Sequence, residues 1–183
     1  VSAELFNSAS HFMGTNPLVQ FVLQPILLFG VLFHLFMGIY LDIKNRKARP
    51  TKYYINSPSN NSNWVSRNMI YTGLTIMLFL CLHFYDFWIP EIKEKFIKGN
   101  WDDPNRYFPH LQHKFHDTWR VVIYCFSFIF LSLHLLHGFQ SSFQSTGISR
   151  NKHTHIIKRA SNLYAIIVPL GFVIIALFHY FIR

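Results

Sequence analysis

Acidic residues and cysteines are both scarce in this chain. Of 183 residues only eight are Asp or Glu, against 17 Lys or Arg, and the formal charge is +9. Two cysteines, Cys81 and Cys125, both fall inside apolar runs. Two are too few for a disulfide framework or a zinc ribbon. There is no C-x-x-C-H, which excludes covalent c-type haem attachment. HExxH, a phosphate-binding glycine loop and a Ser–His–Asp candidate in a turn are all missing too, so the side chains offer no catalytic constellation of their own.

What the chain has is apolar bulk. Hydrophobic residues make up 51% and aromatics 18%, with 20 Phe, a composition suited to a membrane bundle and too greasy for a soluble domain of this length. Ten of the 17 Lys and Arg are concentrated in two loops, which does not give the basic face that nucleic-acid binding needs. The expected fold class is an all-α membrane protein, a single transmembrane domain over 1–183 with four helices at about 17–43, 68–88, 118–141 and 160–182. A span needs about 20 apolar residues, and each run supplies them.

In chain order, 1–16 is polar and mixed and reads as a loop leading into a helix. The chain opens at Val1 without Met, and further residues are expected upstream. Asn16-Pro17 reads as a helix start. Pro25 is a candidate kink in the first run. The connection 89–117 is long enough to carry structure of its own, and PEIKEKFIK within it reads as a short amphipathic interfacial helix with Ile92, Phe96 and Ile97 on its apolar side. Pro169 and Gly171 in the fourth run are both tolerated in membrane helices. Loops 44–67 and 150–159 hold six and four basic residues and no acid, whereas 89–117 holds five of each sign. The positive-inside rule places the two basic loops in the cytoplasm, so the first and third helices run inward and the second and fourth outward.

Histidine is abundant, with 11 residues, and several lie deep in the apolar runs. A histidine within a membrane span is costly and usually functional. His34 lies nine residues before Ile43, or about 13 Å along a helix. His137 sits near the same end of its own helix, and His83, five residues before Trp88, lies near the opposite face. Two histidines from different helices at one depth are what a b-type haem needs, one imidazole on each side of the iron. His134 and His137, one turn apart on one helix side, cannot both hold one haem. His137 is the choice, because Gly138 beside it leaves room for a flat ring, with His134 as a supporting, quinone-facing or packed group. Gly30 and Gly38 flank His34 at i−4 and i+4 and make a groove around it; the same stripe also reads as a helix-packing seam. His83 reads equally as a ligand or as a satisfied core histidine, with His179 as a possible partner. His110, His113 and His116 with Asp117 step by three and drift around a helix, which argues against zinc. His153 and His155 read as solvated.

The stretches SHFMGTNP, FGVLFHLFMGIYLDIKNR, SRNMIYTG with LHFYDFWIPE, and LHLLHGFQSSFQS resemble the cytochrome b membrane-anchor subunit of the succinate dehydrogenase and fumarate reductase family, in its single-chain form with five helices and two haems b. The resemblance covers nearly the whole chain, and it implies that the four helices here are the family's second to fifth. It implies a proximal haem on His34 and His137, and a distal haem on His83 and a histidine of a first helix outside this sequence. A glutamate that some members carry two residues before the fourth-helix histidine is Leu135 here, which puts that proton route in doubt. Ser66 and Arg67 on the inside, and Arg120 on the outside, are candidate propionate partners.

The implied function is a non-catalytic electron-transfer subunit of a succinate:quinone oxidoreductase in a bacterial inner membrane. It would dock an FAD-containing flavoprotein and an iron–sulfur subunit on the cytoplasmic side, with 44–52 and 150–159 as docking loops. Electrons would pass by way of the haems to a quinone, with menaquinone implied. Three alternatives remain. A cytochrome b subunit of a hydrogenase or formate dehydrogenase would share the haems. A metal-transporting protein would want carboxylates beside the histidines, and only Asp86 lies near. A purely structural anchor would need no histidines at matched depth.

Overall fold

The computed structural model describes residues 2–48, 67–146 and 154–182, and these form helices without a strand among them. We number the helices α1 (Ala3–Thr15), α2 (Val19–Lys47), α3 (Met69–Ile97), α4 (Tyr107–Phe115), α5 (Thr118–Ser145) and α6 (Thr154–Phe181). Four of them, α2, α3, α5 and α6, are long and apolar enough to cross a membrane. Large apolar side chains such as Leu27, Phe29 and Phe36 stand exposed along α2, as lipid-facing residues do. The chain is a multi-pass helical membrane protein.

The residues 1–16 expected as a loop instead contain α1. Ser2 caps it by accepting the Leu5 N–H at 3.2 Å. Asn16 then turns the chain, and its side-chain oxygen accepts from the N–H groups of Leu18 (2.9 Å) and Val19 (3.3 Å) at the start of α2. The Asn16-Pro17 start read from the sequence is therefore a capped corner.

The second span also departs from expectation. It does not stop at Trp88; α3 runs on to Ile97, so PEIKEKFIK is its last turns and not a separate helix. Pro90 lies inside the continued helix, and proline cannot donate to the carbonyl four residues back. That carbonyl belongs to Asp86, and His110 Nε2 of α4 donates to it at 2.8 Å. Just before Pro90 the helix widens, with the Ile89 N–H bonded to the Phe84 carbonyl five residues back. A wide turn precedes Pro25 in the same way, the Gln24 N–H reaching the Val19 carbonyl. Widening relieves the clash of the proline ring with the preceding turn. Gly99, at φ 69°, turns the chain after α3.

In α6, Pro169 leaves the Ala165 carbonyl without its helical donor, and the Ser132 hydroxyl of α5 donates to it at 2.8 Å. In a bilayer, with no water to do so, a freed backbone group has to be met by a neighbouring helix. This contact sits within the closest pairing of the bundle, α5 against α6, where Phe139 stacks on Tyr164 and Phe128 packs at a tilt of 31° against Phe172. The core proper gathers Leu111, Phe115, Val121, Tyr124, Phe128 and Ala176, with α3 joining through Phe79 and Phe87. α1 and α4 close one end, held by the Phe108 N–H donating to Asn7 Oδ1 at 2.8 Å; this is the cap end. α2 is different: no part of its apolar stretch is buried.

Candidate functional site

The histidines fall at two levels. At the level further from the cap, His134 of α5 faces α3. Its Nδ1 lies 3.0 Å from Thr72 Oγ1. Thr72 already donates its only hydroxyl proton to the Met69 carbonyl at 2.9 Å. With that proton on Met69, the Thr72 oxygen is the acceptor at the second contact, an assignment that puts the His134 proton on Nδ1 and leaves the Nε2 lone pair. Metal-ligating histidines are held in this way, by a partner on the nitrogen away from the metal. Gly73, one residue on, lies against the same ring; a Cβ there would sit at contact distance, 3.4 Å from His134 Cε1.

His34 of α2 meets this group. Its ring centroid lies 6.2 Å from that of His134, with the planes at 88°. Two imidazoles sharing one metal, each nitrogen about 2 Å from it, have centroids about 6 Å apart. Ordinary ring pairs also pack at such distances, so the spacing by itself decides nothing. The tautomer carries more. His34 is exposed, and at Gly30 and Gly38 an added Cβ would meet nothing within 4 Å. The glycine stripe is therefore not a helix-packing seam against any described residue. It is an open helix face with His34 in its middle.

Sequence reasoning pairs His34 with His137; the ring packed against His34 in this structure is that of His134. Residues three apart share a helix side, so spacing alone did not separate the two. The neighbour on α3 does. The room expected beside Gly138 is filled as well, since a Cβ there would lie 2.9 Å from the Met69 methyl. His137 lies half-buried one turn on. Arg67 lies exposed just ahead of α3, at this level, and Ser66 lies outside the described residues.

The second level is reached eleven residues along α3, about 16 Å from Thr72. There His83 sits among Phe79, Phe84, Phe87 and Tyr124, with ring centroids 5.2–6.5 Å away. Its Nδ1 is buried without a hydrogen-bond partner. A buried imidazole nitrogen left unmatched is costly unless something else engages the ring. Neither Tyr85 nor a carbonyl meets that nitrogen, and His179 faces Phe108 instead, at 5.5 Å.

Arg120, expected near a propionate, has a protein partner. Its Nη1 donates to Asp86 Oδ1 at 2.7 Å. Asp86 is wholly buried and also accepts from the Tyr124 hydroxyl at 3.0 Å, with Lys114 Nζ 3.5 Å away. The one carboxylate near His83 is thus bound by cations and is not directed at the imidazole. His110 is tied to the Asp86 carbonyl, and no group of three or more His, Cys, Asp or Glu side chains among the described residues forms a metal site.

Sequence reasoning missed a second ion cluster under α1. Glu91 accepts from Arg106 at 2.5 and 2.9 Å and from the Tyr107 hydroxyl at 3.0 Å, and pairs with buried Lys95 at 2.7 Å. Lys95 also donates to the Gly14 carbonyl. A Cβ on Gly14 would lie 2.9 Å from both Glu91 Oε1 and Tyr107 Oη, so only glycine lets α1 seat here. Burial, reinforced by the Glu91 charge, pushes the Tyr107 phenol up to about 12, keeping it a neutral donor. A signal was available: Glu91 and Lys95 are four apart on a helix. No family model, curated protein or solved structure matches the chain.

Proposed function

We propose that this chain is the haem b membrane anchor of a succinate:quinone oxidoreductase, a non-catalytic electron-transfer subunit in a bacterial cytoplasmic membrane. The carrying observation is the His34–His134 pair, with Thr72 on His134 Nδ1 and an open, glycine-flanked face around His34. The chemistry fits haem b: neutral imidazoles from two helices, one oriented from behind, and apolar walls. In this reading His34 and His134 hold the haem further from the cap. His83, with its unmatched Nδ1, serves the haem nearer the cap, whose other ligand the resemblance assigns to a helix outside this sequence.

Bound haem b supplies one-electron transfer between an iron–sulfur partner and a membrane quinone, menaquinone by the resemblance. The chain's own residues orient and insulate. Thr72 sets the His134 tautomer, and the Phe79, Phe87 and Tyr124 rings exclude water around His83. The Asp86–Arg120–Lys114 cluster places buried charge one turn from His83. A flavoprotein and an iron–sulfur subunit would dock at the end away from the cap, on the basic segments 44–52 and 150–159, of which 49–52 and 150–153 lie outside the described residues.

The test is purification of the complex from its native membrane, haem counting by pyridine haemochrome, and addition of succinate. Two haems b per chain, reduced by succinate, is the expected result. Haems reduced by hydrogen or formate but not by succinate would move the chain to another quinone-linked oxidoreductase. A chain without haem would overturn the electron-transfer reading.

A further inference from the structure

Near the cap end, on the flank of α3, lies a groove of about 230 Å³ lined by Tyr85, Ile89, Pro90, Lys93, Glu94, Lys98 and Lys114. It uses none of the histidines. We propose that this groove holds the phosphate of an anionic membrane phospholipid, with the ammonium groups of Lys93, Lys98 and Lys114 on the headgroup and the acyl chains along Tyr85 and Ile89.

Its charge is unbalanced. Three lysines face one carboxylate, Glu94, which pairs with Lys98 at 2.5 Å. The acid that reaches Lys114 does not correct this, and Glu91 is taken by Lys95 and Arg106. Asp86 is already bound by Arg120 at 2.7 Å and by Tyr124, and Lys114 stands further off at 3.5 Å. One buried carboxylate shared by two cations leaves net positive charge, and Lys114 carries it to the groove wall. Phosphate is the complement, a compact anion with several acceptor oxygens.

The groove is also graded along the membrane normal. Tyr85 and Ile89 are exposed on the apolar stretch of α3, and Lys93 follows one turn later. Trp88, exposed between them, marks the interface. Apolar wall below and ammonium groups above is the profile of a phospholipid, and a free phosphate ion has no use for the lower half. Lys114 also lies 5.9 Å from the Tyr85 ring, which brings α4 over the groove as its second wall.

The test uses the full chain in its complex, delipidated in neutral detergent and offered phosphatidylglycerol or phosphatidylcholine, with retained lipid counted by native mass spectrometry. Phosphatidylglycerol is expected to be retained preferentially. Lys93→Gln with Lys98→Gln should weaken that retention about tenfold, each lysine near a headgroup contributing roughly fivefold at most. Glu94→Gln removes the competing carboxylate and should strengthen retention, so the proposal does not depend on a loss that misfolding would mimic. Excess inorganic phosphate should leave the lipid in place. Equal retention of the two lipids, unchanged retention in the double lysine variant, weaker retention in Glu94→Gln, or displacement by inorganic phosphate would each overturn the proposal.

Discussion

Thr72 fixes the tautomer of His134. The hydroxyl spends its one proton on the Met69 carbonyl at 2.9 Å and so can only accept from His134 Nδ1 at 3.0 Å. Thr72→Val keeps the shape and removes the acceptor. Lost partners behind a metal-bound histidine typically cost 10–100-fold in affinity. One haem should therefore become substoichiometric in Thr72→Val and return in Thr72→Ser, read by pyridine haemochrome and by the reduced-minus-oxidised spectrum. Full haem content in Thr72→Val would remove Thr72 from any such role.

The same geometry separates His134 from His137. His34→Ala and His134→Ala should each abolish the low-spin signal of one haem and spare the other, while His137→Ala should keep both. Loss in His137→Ala with retention in His134→Ala would restore the assignment made from the sequence. His83→Ala should remove the other signal, leaving the His34 signal intact.

The all-α fold and four apolar spans in their order were legible in the sequence, because length and hydropathy are local properties. What was illegible depended on neighbours. α1 is short and mixed, and its place is set by Asn7 meeting the Phe108 N–H and by Lys95 meeting the Gly14 carbonyl, 101 and 81 residues apart in sequence. The continuation of α3 past Trp88 was not legible, because nothing local announced that His110 would satisfy the Asp86 carbonyl that Pro90 leaves without a donor. His134 and His137 share a helix side, so only Thr72 on another helix tells them apart. Asp86 inside an apolar run was visible, but its cations lie on α4 and α5.

Buried Asp86 carries the next expectation. Removing one partner of a buried ion cluster costs about 3–5 kcal/mol, because the remaining charges stay buried without compensation. Asp86→Asn strands Arg120 and Lys114 in this way and should destabilise the detergent-solubilised chain by that amount in SDS-titrated unfolding. The triple change Asp86→Asn, Arg120→Met and Lys114→Met should recover most of the loss. If it is no better than Asp86→Asn alone, the cluster's value lies elsewhere.

Tyr107 links stability to pH at the cap. Its phenol is pushed up to about 12 from an ordinary 10.0, first by burial and then by Glu91. A raised native pKa means the folded chain holds this proton after the unfolded chain has lost it. The contribution is complete below pH 10 and falls away as pH rises from 10 toward 12. Tyr107→Phe has no such proton, so its unfolding midpoint should lose less than wild type over that window. The two should keep a constant offset below it. Parallel curves through pH 12 would show that the phenol titrates normally.

Ser132 and Pro169 give the sharpest energetic test. The Ser132 hydroxyl donates to the Ala165 carbonyl that Pro169 deprives of its helical donor. Ser132→Ala leaves that carbonyl unmatched in an apolar interior, at a cost of about 1–3 kcal/mol. Pro169→Ala restores the backbone donor and makes the hydroxyl redundant. In the Pro169→Ala background, Ser132→Ala should then cost well under half as much, a coupling that a double-mutant cycle reads directly. If the cost is equal in both backgrounds, Ser132 stabilises α5 against α6 by packing alone, and the freed carbonyl is satisfied without it.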